Sequence, residues 1–410
     1  MPFFYIRTNR NCTRRNADSQ RIYDYLTANG WSFTKDIPRA DLIVICTCAA
    51  TDISEYESVY NISRILTEKS ELAKVIITGC LPPINREKID ELGDFAIVNP
   101  REMEDFDRLI KHQVSIGEIF EHGIIVVPDF ERPVPSLASR MVGLARRCLS
   151  DSGALKMVFR RRAVAKRRQT YLAIPSYDIR IVKGCLGNCS YCCIRFAVGR
   201  LESKPPQVIR NEFRDGLEKG FKVLTLVGVD TGCYGLDIGT DIAELLKQIF
   251  AVPGDYGLRI DDFNPQWLVK YYDQLIPLFI ENRNRFIEIA IPLQSGSNRI
   301  LKLMKRPYDI DVVRSKLDGL KEKMPELRIR THMLVGFPGE TQEDYEKTRR
   351  LVQEFDFADV TIFRYADRPR TASSQMDGKL PASVKVAREE DLWDTFAGKQ
   401  PADAPVSPTI

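Results

Sequence analysis

Residues 184–193 read Gly184-Cys185-Leu186-Gly187-Asn188-Cys189-Ser190-Tyr191-Cys192-Cys193. Three cysteines at i, i+4 and i+7 in a glycine-containing loop can wrap three corners of a cubane iron–sulfur cluster and leave the fourth iron without a protein ligand. An open iron binds and activates a small molecule, as an open position does in any catalytic metal site. A zinc site would need a fourth cysteine or histidine close by. Cys193 is adjacent in sequence but poorly placed to close the tetrahedron. Three merely buried cysteines would require three coincidences within eight residues.

Outward from this loop, the chain alternates short apolar runs with helical periodicity. Strands are predicted at Ile179–Val182, Lys222–Val227, Gly257–Asp261, Phe286–Ile291, Leu327–Leu334 and Val360–Phe363, with helices between them. That pattern predicts an α/β barrel, complete or partial, over residues 176–375, with its site at the carboxyl ends of the strands. Towards the N-terminus, Phe3–Arg7, Leu42–Cys46, Val75–Thr78 and Phe95–Val98 read as strands of a small open parallel α/β sheet spanning residues 1–125. Cys12, Cys48 and Cys80 follow its first three strands, at the sheet end where ligands bind. Residues 126–175 read as a basic linker or insert, with ten lysines and arginines between Arg140 and Arg168 and Asp151 as the sole acid. Such a run is either a solvated helix face or a docking surface for phosphates or acidic groups. Its short apolar stretch at Met141–Leu144 also allows a membrane-surface helix. Residues 376–410 read as a polar tail.

The 410 residues are 44% hydrophobic and 28% charged, enough apolar material for sizeable cores. No apolar run reaches membrane-spanning length, so integral membrane association is not expected. The first twelve residues lack the apolar core of an export signal. Net charge is only +4, so a nucleic-acid surface must be local. Ten cysteines stand against three histidines, His112, His122 and His332. That balance points to thiolate chemistry in a reducing, cytoplasmic setting.

The cysteine spacing, with Tyr191 before the third cysteine, resembles the radical S-adenosylmethionine (SAM) enzymes, whose open iron binds SAM and whose reductive cleavage of it yields a 5′-deoxyadenosyl radical. Further segments narrow the likeness to the methylthiotransferases. These are Cys46-Thr47-Cys48-Ala49, Thr78-Gly79-Cys80-Leu81-Pro82, Leu226 to Gly235, Pro292-Leu293-Gln294-Ser295-Gly296-Ser297 with Met304-Lys305-Arg306, and Val335-Gly336-Phe337-Pro338-Gly339-Glu340-Thr341. The resemblance covers about residues 3–122 and 176–378. It implies a radical-SAM partial (β/α)6 barrel and two [4Fe-4S] clusters. Cys185, Cys189 and Cys192 would hold the SAM-cleaving cluster. Cys12, Cys48 and Cys80 would hold an auxiliary cluster carrying the sulfur to be transferred. It also implies that a substrate C–H becomes C–S–CH3, with an electron donor such as a flavodoxin or ferredoxin.

Tyr191 is expected beside the adenine of SAM. Gln294 and Ser295, at a strand end, are candidate cofactor or substrate contacts. Gly336 and Gly339 would let backbone approach the cofactor, although a strand-to-helix turn also accounts for them. Cys46, Cys148, Cys193 and Cys233 read as core or surface thiols. Members of the family end in a small β-barrel RNA-binding domain, for which the 35 or so residues after Ala372 leave no room. Asn11 and Arg15 also stand where relatives carry Gly and Asn. These departures bear on the substrate. A tRNA adenosine comes first, since the basic insert offers contacts to phosphates. A protein or ribosomally made peptide is the alternative, and a non-catalytic cluster-containing binding protein the third reading.

Overall fold

The structure is a computed structural model, and it describes residues 1–8, 12–121 and 175–399, the side chains of 13–15 apart. Strands β1 (Phe3–Arg7), β2 (Ser32–Phe33), β3 (Leu42–Thr47), β4 (Lys74–Gly79) and β5 (Ala96–Val98) form a parallel sheet in the order β2-β1-β3-β4-β5. All six residues of β3 are buried, as expected of a central parallel strand covered on both faces. Helices α1 (Thr13–Ala28), α2 (Asp52–Glu68), α3 (Leu81–Ile84), α4 (Glu87–Asp90) and α5 (Asp105–Leu109) accompany it. On one face Ile43, Ile45 and Ile77 pack with Ile62 and Ile65 of α2. On the other, Phe4, Ile6 and Val44 pack with Ile22, Tyr25 and Leu26 of α1. Thr51 sets the start of α2, its hydroxyl accepting from the Ser54 amide at 3.1 Å.

The second sheet is built from β6 (Tyr177–Arg180), β9 (Val223–Val227), β10 (Gly257–Ile260), β11 (Phe286–Ala290), β12 (Arg328–Val335) and β13 (Asp359–Arg364), neighbours in that order and all parallel. A short antiparallel pair, β7 (Val182–Lys183) with β8 (Glu202–Ser203), brackets the cysteine loop. Helices α6 (Arg195–Val198), α7 (Pro206–Glu218), α8 (Ile242–Phe250), α9 (Pro265–Lys270), α10 (Tyr272–Glu281), α11 (Asn298–Leu303), α12 (Ile310–Lys323), α13 (Gln342–Glu354) and α14 (Ala382–Lys399) follow. The sheet ends at β6 and β13 and is thus the partial six-stranded barrel expected. Leu224, Leu226, Leu258, Ile260 and Ile329 belong to the main apolar core. Strand alternation turns Thr225, Arg259, Glu288 and Arg330 to the opposite face. There Glu288, 1% exposed, is paired with Arg330 at 2.7 Å and Arg328 at 3.2 Å. This inner face is polar, where a closed barrel fills its interior with branched apolar side chains.

The basic stretch read as residues 126–175 lies, but for Pro175, outside the described residues. The polar tail expected from residue 376 is corrected: residues 382–399 form α14, packed on α13 and β13. Leu392, Phe396 and Ala397 recur at helical spacing and are buried, each large side chain contributing about 1.5–3 kcal/mol. Arg388, on the same face, reaches the buried carboxylate of Glu340 at 2.5 Å. Charge-rich composition hid this stripe. No helix among the described residues is long and apolar enough to cross a membrane.

Candidate active site

The cysteine loop leaves β7 and is tied down at its middle. The Ser190 amide donates to the Met304 carbonyl at 3.0 Å and its hydroxyl to the Leu303 carbonyl at 2.8 Å. The Ser190 carbonyl in turn accepts from the Ser373 amide at 2.9 Å. The loop therefore sits against the end of α11. The Gly187 amide donates to the Cys185 sulfur at 3.1 Å. A Cβ added at Gly187 would lie 3.1 Å from the Cys185 sulfur and 3.8 Å from that of Cys189, so the glycine keeps open the hollow between two thiols. Burial, followed by the Asp230 carboxylate, pushes the Cys185 thiol up to about 12. A bound iron reverses that trend, because coordination favours the thiolate.

The second triad forms at the carboxyl ends of β1, β3 and β4. Thr47 and Gly79 are paired across β3 and β4, so Cys48 and Cys80 leave neighbouring strands side by side. The Cys80 amide donates to the Thr47 carbonyl at 2.9 Å, and Ser58 clasps Cys48 through its amide at 2.9 Å and its carbonyl at 2.7 Å. Gly79 has φ +98°, and a Cβ there would meet the Thr47 carbonyl oxygen at 2.2 Å, so only glycine permits this approach. Cys12 follows β1, the neighbour of β3, and is the residue immediately before α1. Burial first, then the proximity of Cys80 and Cys12, pushes the Cys48 thiol up to about 11. Cys48 thus has the other two cysteines as near neighbours.

Among the described residues no three His, Cys, Asp or Glu side chains close on a point as a single-ion site does. A tetrahedral zinc draws its ligands to about 2.3 Å from one centre, whereas a cubane takes each thiolate on a separate iron. Cys189 and Cys192 lie near Cys185, and Cys80 and Cys12 near Cys48, so each group offers three soft sulfur donors, the donor set that a four-iron cluster takes.

The other candidates divide. Tyr191 lies next to Cys192, edge-on to Phe337 at 6.4 Å between ring centres. Gln294, four residues beyond β11 and bridged to Met333 of β12, lies in the left-handed region, φ +66°, pinned by its amide to the His332 carbonyl at 2.7 Å and by its carbonyl to the Leu334 amide at 2.8 Å. Such strain in a non-glycine residue concentrates at functional sites. Ser295 is fully buried, and its hydroxyl is engaged by the Ser297 amide at 3.1 Å and by Thr348 at 3.3 Å. Gly336 and Gly339, with φ +76° and +77°, shape a turn in which their amides donate to Glu340 at 2.7 Å and to the Gly378 carbonyl at 2.8 Å.

Sequence reasoning assigned no site role to Arg306, which donates to the Cys189 sulfur at 3.5 Å and to the Pro292 carbonyl at 2.7 Å. It also passed over Asp230, buried at the end of β9, held by the Trp267 indole at 2.9 Å and raised by burial to about 6. Both lie in stretches already read as motifs, but a charged residue in a loop carries no signal of which sulfur it will meet. Outside the loop, a cleft of about 690 Å³ is lined by Cys185, Gly187, Arg101, Arg195, Arg200 and Arg370.

Residues 179–352 match the Radical SAM superfamily, and residues 5–98 match Uncharacterized protein family UPF0004. A protein of Pyrococcus horikoshii named probable threonylcarbamoyladenosine tRNA methylthiotransferase is 30% identical over 384 residues, covering 94% of this chain and 81% of its own length. This chain is a member of the radical SAM methylthiotransferase family. The threonylcarbamoyladenosine tRNA methylthiotransferase of Thermotoga maritima is likewise 30% identical, with 93% of this chain and 79% of that one covered. Among solved structures, the radical SAM methyltransferase TsrM of Kitasatospora setae, with cobalamin and a [4Fe-4S] cluster bound, aligns with a TM-score of 0.60 at 14% identity, over 91% of this chain and 77% of that one. The cobalamin-dependent radical SAM enzyme OxsB aligns at 0.55, with 10% identity, over 96% and 56%. At such identities the likeness is one of fold. A radical SAM methylthiotransferase is an enzyme that uses a [4Fe-4S] cluster and SAM.

Proposed function

We propose that this methylthiotransferase converts a C–H bond of a tRNA adenosine, in the class of threonylcarbamoyladenosine, into C–S–CH3. The observation that carries the reading is the presence of two separate thiol triads, one at the strand ends of each sheet. Cys185, Cys189 and Cys192 are assigned to the SAM-cleaving cluster, and Cys12, Cys48 and Cys80 to an auxiliary cluster. When bound, the clusters would pass on the electron and supply the sulfur, and SAM would supply the 5′-deoxyadenosyl radical and the methyl group. The chain's own part is positioning. A carbon radical is short-lived, so the sulfur must already lie within contact distance when hydrogen is removed.

Tyr191 and Gln294 are the residues we assign to contact with SAM, because one flanks the cysteine loop and the other is held strained at a strand end. Ser295, Gly336 and Gly339 act behind them: Ser295 steadies the following loop, and the glycines form the turn that carries Glu340. Arg306 beside the Cys189 sulfur offsets the negative charge of a thiolate-bound cluster. The names of the relatives favour RNA over the peptide alternative. A cytoplasmic setting and a flavodoxin or ferredoxin as reductant complete the proposal.

Anaerobically reconstituted protein, incubated with dithionite, SAM and bulk tRNA, tests it by mass spectrometry of nucleosides. A gain of about 46 Da, the CH2S added in methylthiolation, is expected on an adenosine, together with 5′-deoxyadenosine. Cys189→Ala should abolish cleavage of SAM. Cys48→Ala should cleave SAM yet deliver no sulfur, and methylthiolated product from it would remove the second-cluster assignment.

A further inference from the structure

We propose that the contact between α3 and α6, locked by Cys193 and the buried Arg368–Glu55 pair, sets the separation between the two thiol triads, with Arg368 as its positioning residue. The inference rests on the two-cluster reading above. It starts from where the two helices begin. Helix α3 opens directly after Cys80, and α6 opens two residues after Cys192-Cys193. These one-turn helices pack on each other. Cys193 and Ala197 on the barrel side lie in the same apolar core as Ala49, Cys80, Leu81 and Ile84 of the N-terminal sheet. The core is therefore shared by both parts of the chain, at the point where each carries its cysteines.

Cys193 makes the shortest link. It is bonded to Cys192, and its thiol donates to the carbonyl of Ala49, the residue after Cys48, at 3.4 Å. A single hydrogen bond thus separates residues adjacent to a member of each triad. Arg368, 5% exposed, forms a charged pair with Glu55 of α2, and its guanidinium favours the ionised form of the Cys193 thiol, which burial opposes. Glu55 also accepts from the Asn85 amide side chain, at the end of α3, at 3.3 Å. Two more arginines cross the seam at its edge. Arg101 donates to the Phe196 carbonyl at 2.9 Å and the Arg195 carbonyl at 3.2 Å. Arg370 donates to the Pro83 carbonyl while lying 4.3 Å over the Phe196 ring.

An ordinary interface would hold the two parts together anywhere along their surfaces. Here the bonded groups sit on the residues next to the ligands, so a shift in the seam is a shift between the triads. Transfer between reacting groups is steep in distance, and a misplacement of about 1 Å can cost about 100-fold in rate. Loss of the pair should therefore uncouple the two half-reactions before it stops either.

The test compares wild type with Arg368→Gln, with the milder Glu55→Gln in case the first does not fold, and with the reversed pair Glu55→Arg/Arg368→Glu. Iron content, magnetic coupling between the reduced clusters, and the ratio of 5′-deoxyadenosine to methylthiolated nucleoside are measured. Hydrogen exchange of the Asn85 and Gly199 amides is followed in metal-free protein. The single variants should keep about eight irons per chain and cleave SAM, while the ratio rises about 10-fold, the magnetic coupling weakens and both amides exchange faster. The reversed pair should move all three back towards wild type. Full iron with unchanged ratio, coupling and exchange in the single variants overturns the proposal. About four irons in wild type overturns the two-cluster reading itself, and this inference with it.

Discussion

At the scale of single residues, the chemistry depends on side chains that are absent as much as on those present. Gly187 has no side chain between two cysteine sulfurs that would stand 3.1 and 3.8 Å from a Cβ. Filling that space costs the protein little fold stability, since the nearer atom is a side-chain sulfur and can turn aside. The sulfur that turns aside is, however, one of the three assigned to the cluster. Gly187→Ala should therefore fold with a melting temperature within a few degrees of wild type, yet take up less iron on reconstitution. The absorbance of the iron–sulfur charge-transfer band, set beside the thermal transition, separates the two effects. Equal iron uptake would show that the Gly187 hollow is not needed for the cluster.

Among the elements, α14 shows how a distant helix bears on a loop near the site. Arg388 donates to the Glu340 carboxylate at 2.5 Å and to its carbonyl at 3.2 Å. The same carboxylate oxygen accepts from the Gly336 amide at 2.7 Å, which closes the turn between β12 and α13. Burial raises the Glu340 carboxyl, and it is Gly336 and Arg388 that favour its charged form. Arg388→Ala leaves a buried carboxylate without its cation, a change that costs about 3–5 kcal/mol in comparable sites. Stability to urea should fall by an amount of that order, and SAM should bind about 10-fold more weakly by calorimetry as the turn loosens. Unchanged binding in a destabilised variant would separate this turn from the cofactor site.

The whole molecule is joined by ion pairs between its two parts as well as by shared core. Arg180 of β6 bridges Asp18 of α1 at 2.7 Å and Glu121. Burial works against the charge on Glu121, but Arg180 and Lys204 hold its carboxyl at about 2, below its ordinary 4.5. A carboxyl depressed in the folded state stabilises it fully above the unfolded value and ceases to do so as pH falls through the folded one. The Glu121 contribution is thus present above about pH 4.5 and fades between there and pH 2. Denaturant titrations over that range should show wild type losing more stability on acidification than Glu121→Gln, which has no proton to gain. Parallel pH curves for the two proteins would contradict this assignment.

Much of this was legible in the order of residues alone. Three cysteines within eight residues identify a cluster loop because the ligand spacing is local. Alternating apolar runs predict two α/β sheets because each strand must bury both faces, a demand that leaves its mark in every strand separately. The cysteines after β1, β3 and β4 lie near one another because parallel sheets align their strand ends. What the order of residues left open is whatever depends on two segments far apart meeting. Glu55 and Arg368 are 313 positions apart, and nothing in either neighbourhood names the other. Cys193 read as a spare thiol because its partner, the Ala49 carbonyl, is a backbone atom with no side-chain signature. The stripe of α14 was masked by its charges, one of which, Arg388, turned inward to meet a carboxylate. Local pattern settles which elements form and which residues are candidates for the chemistry. Tertiary packing decides how the two sheets are set against each other, because the energy of a buried contact belongs to the pair and is written in neither residue alone.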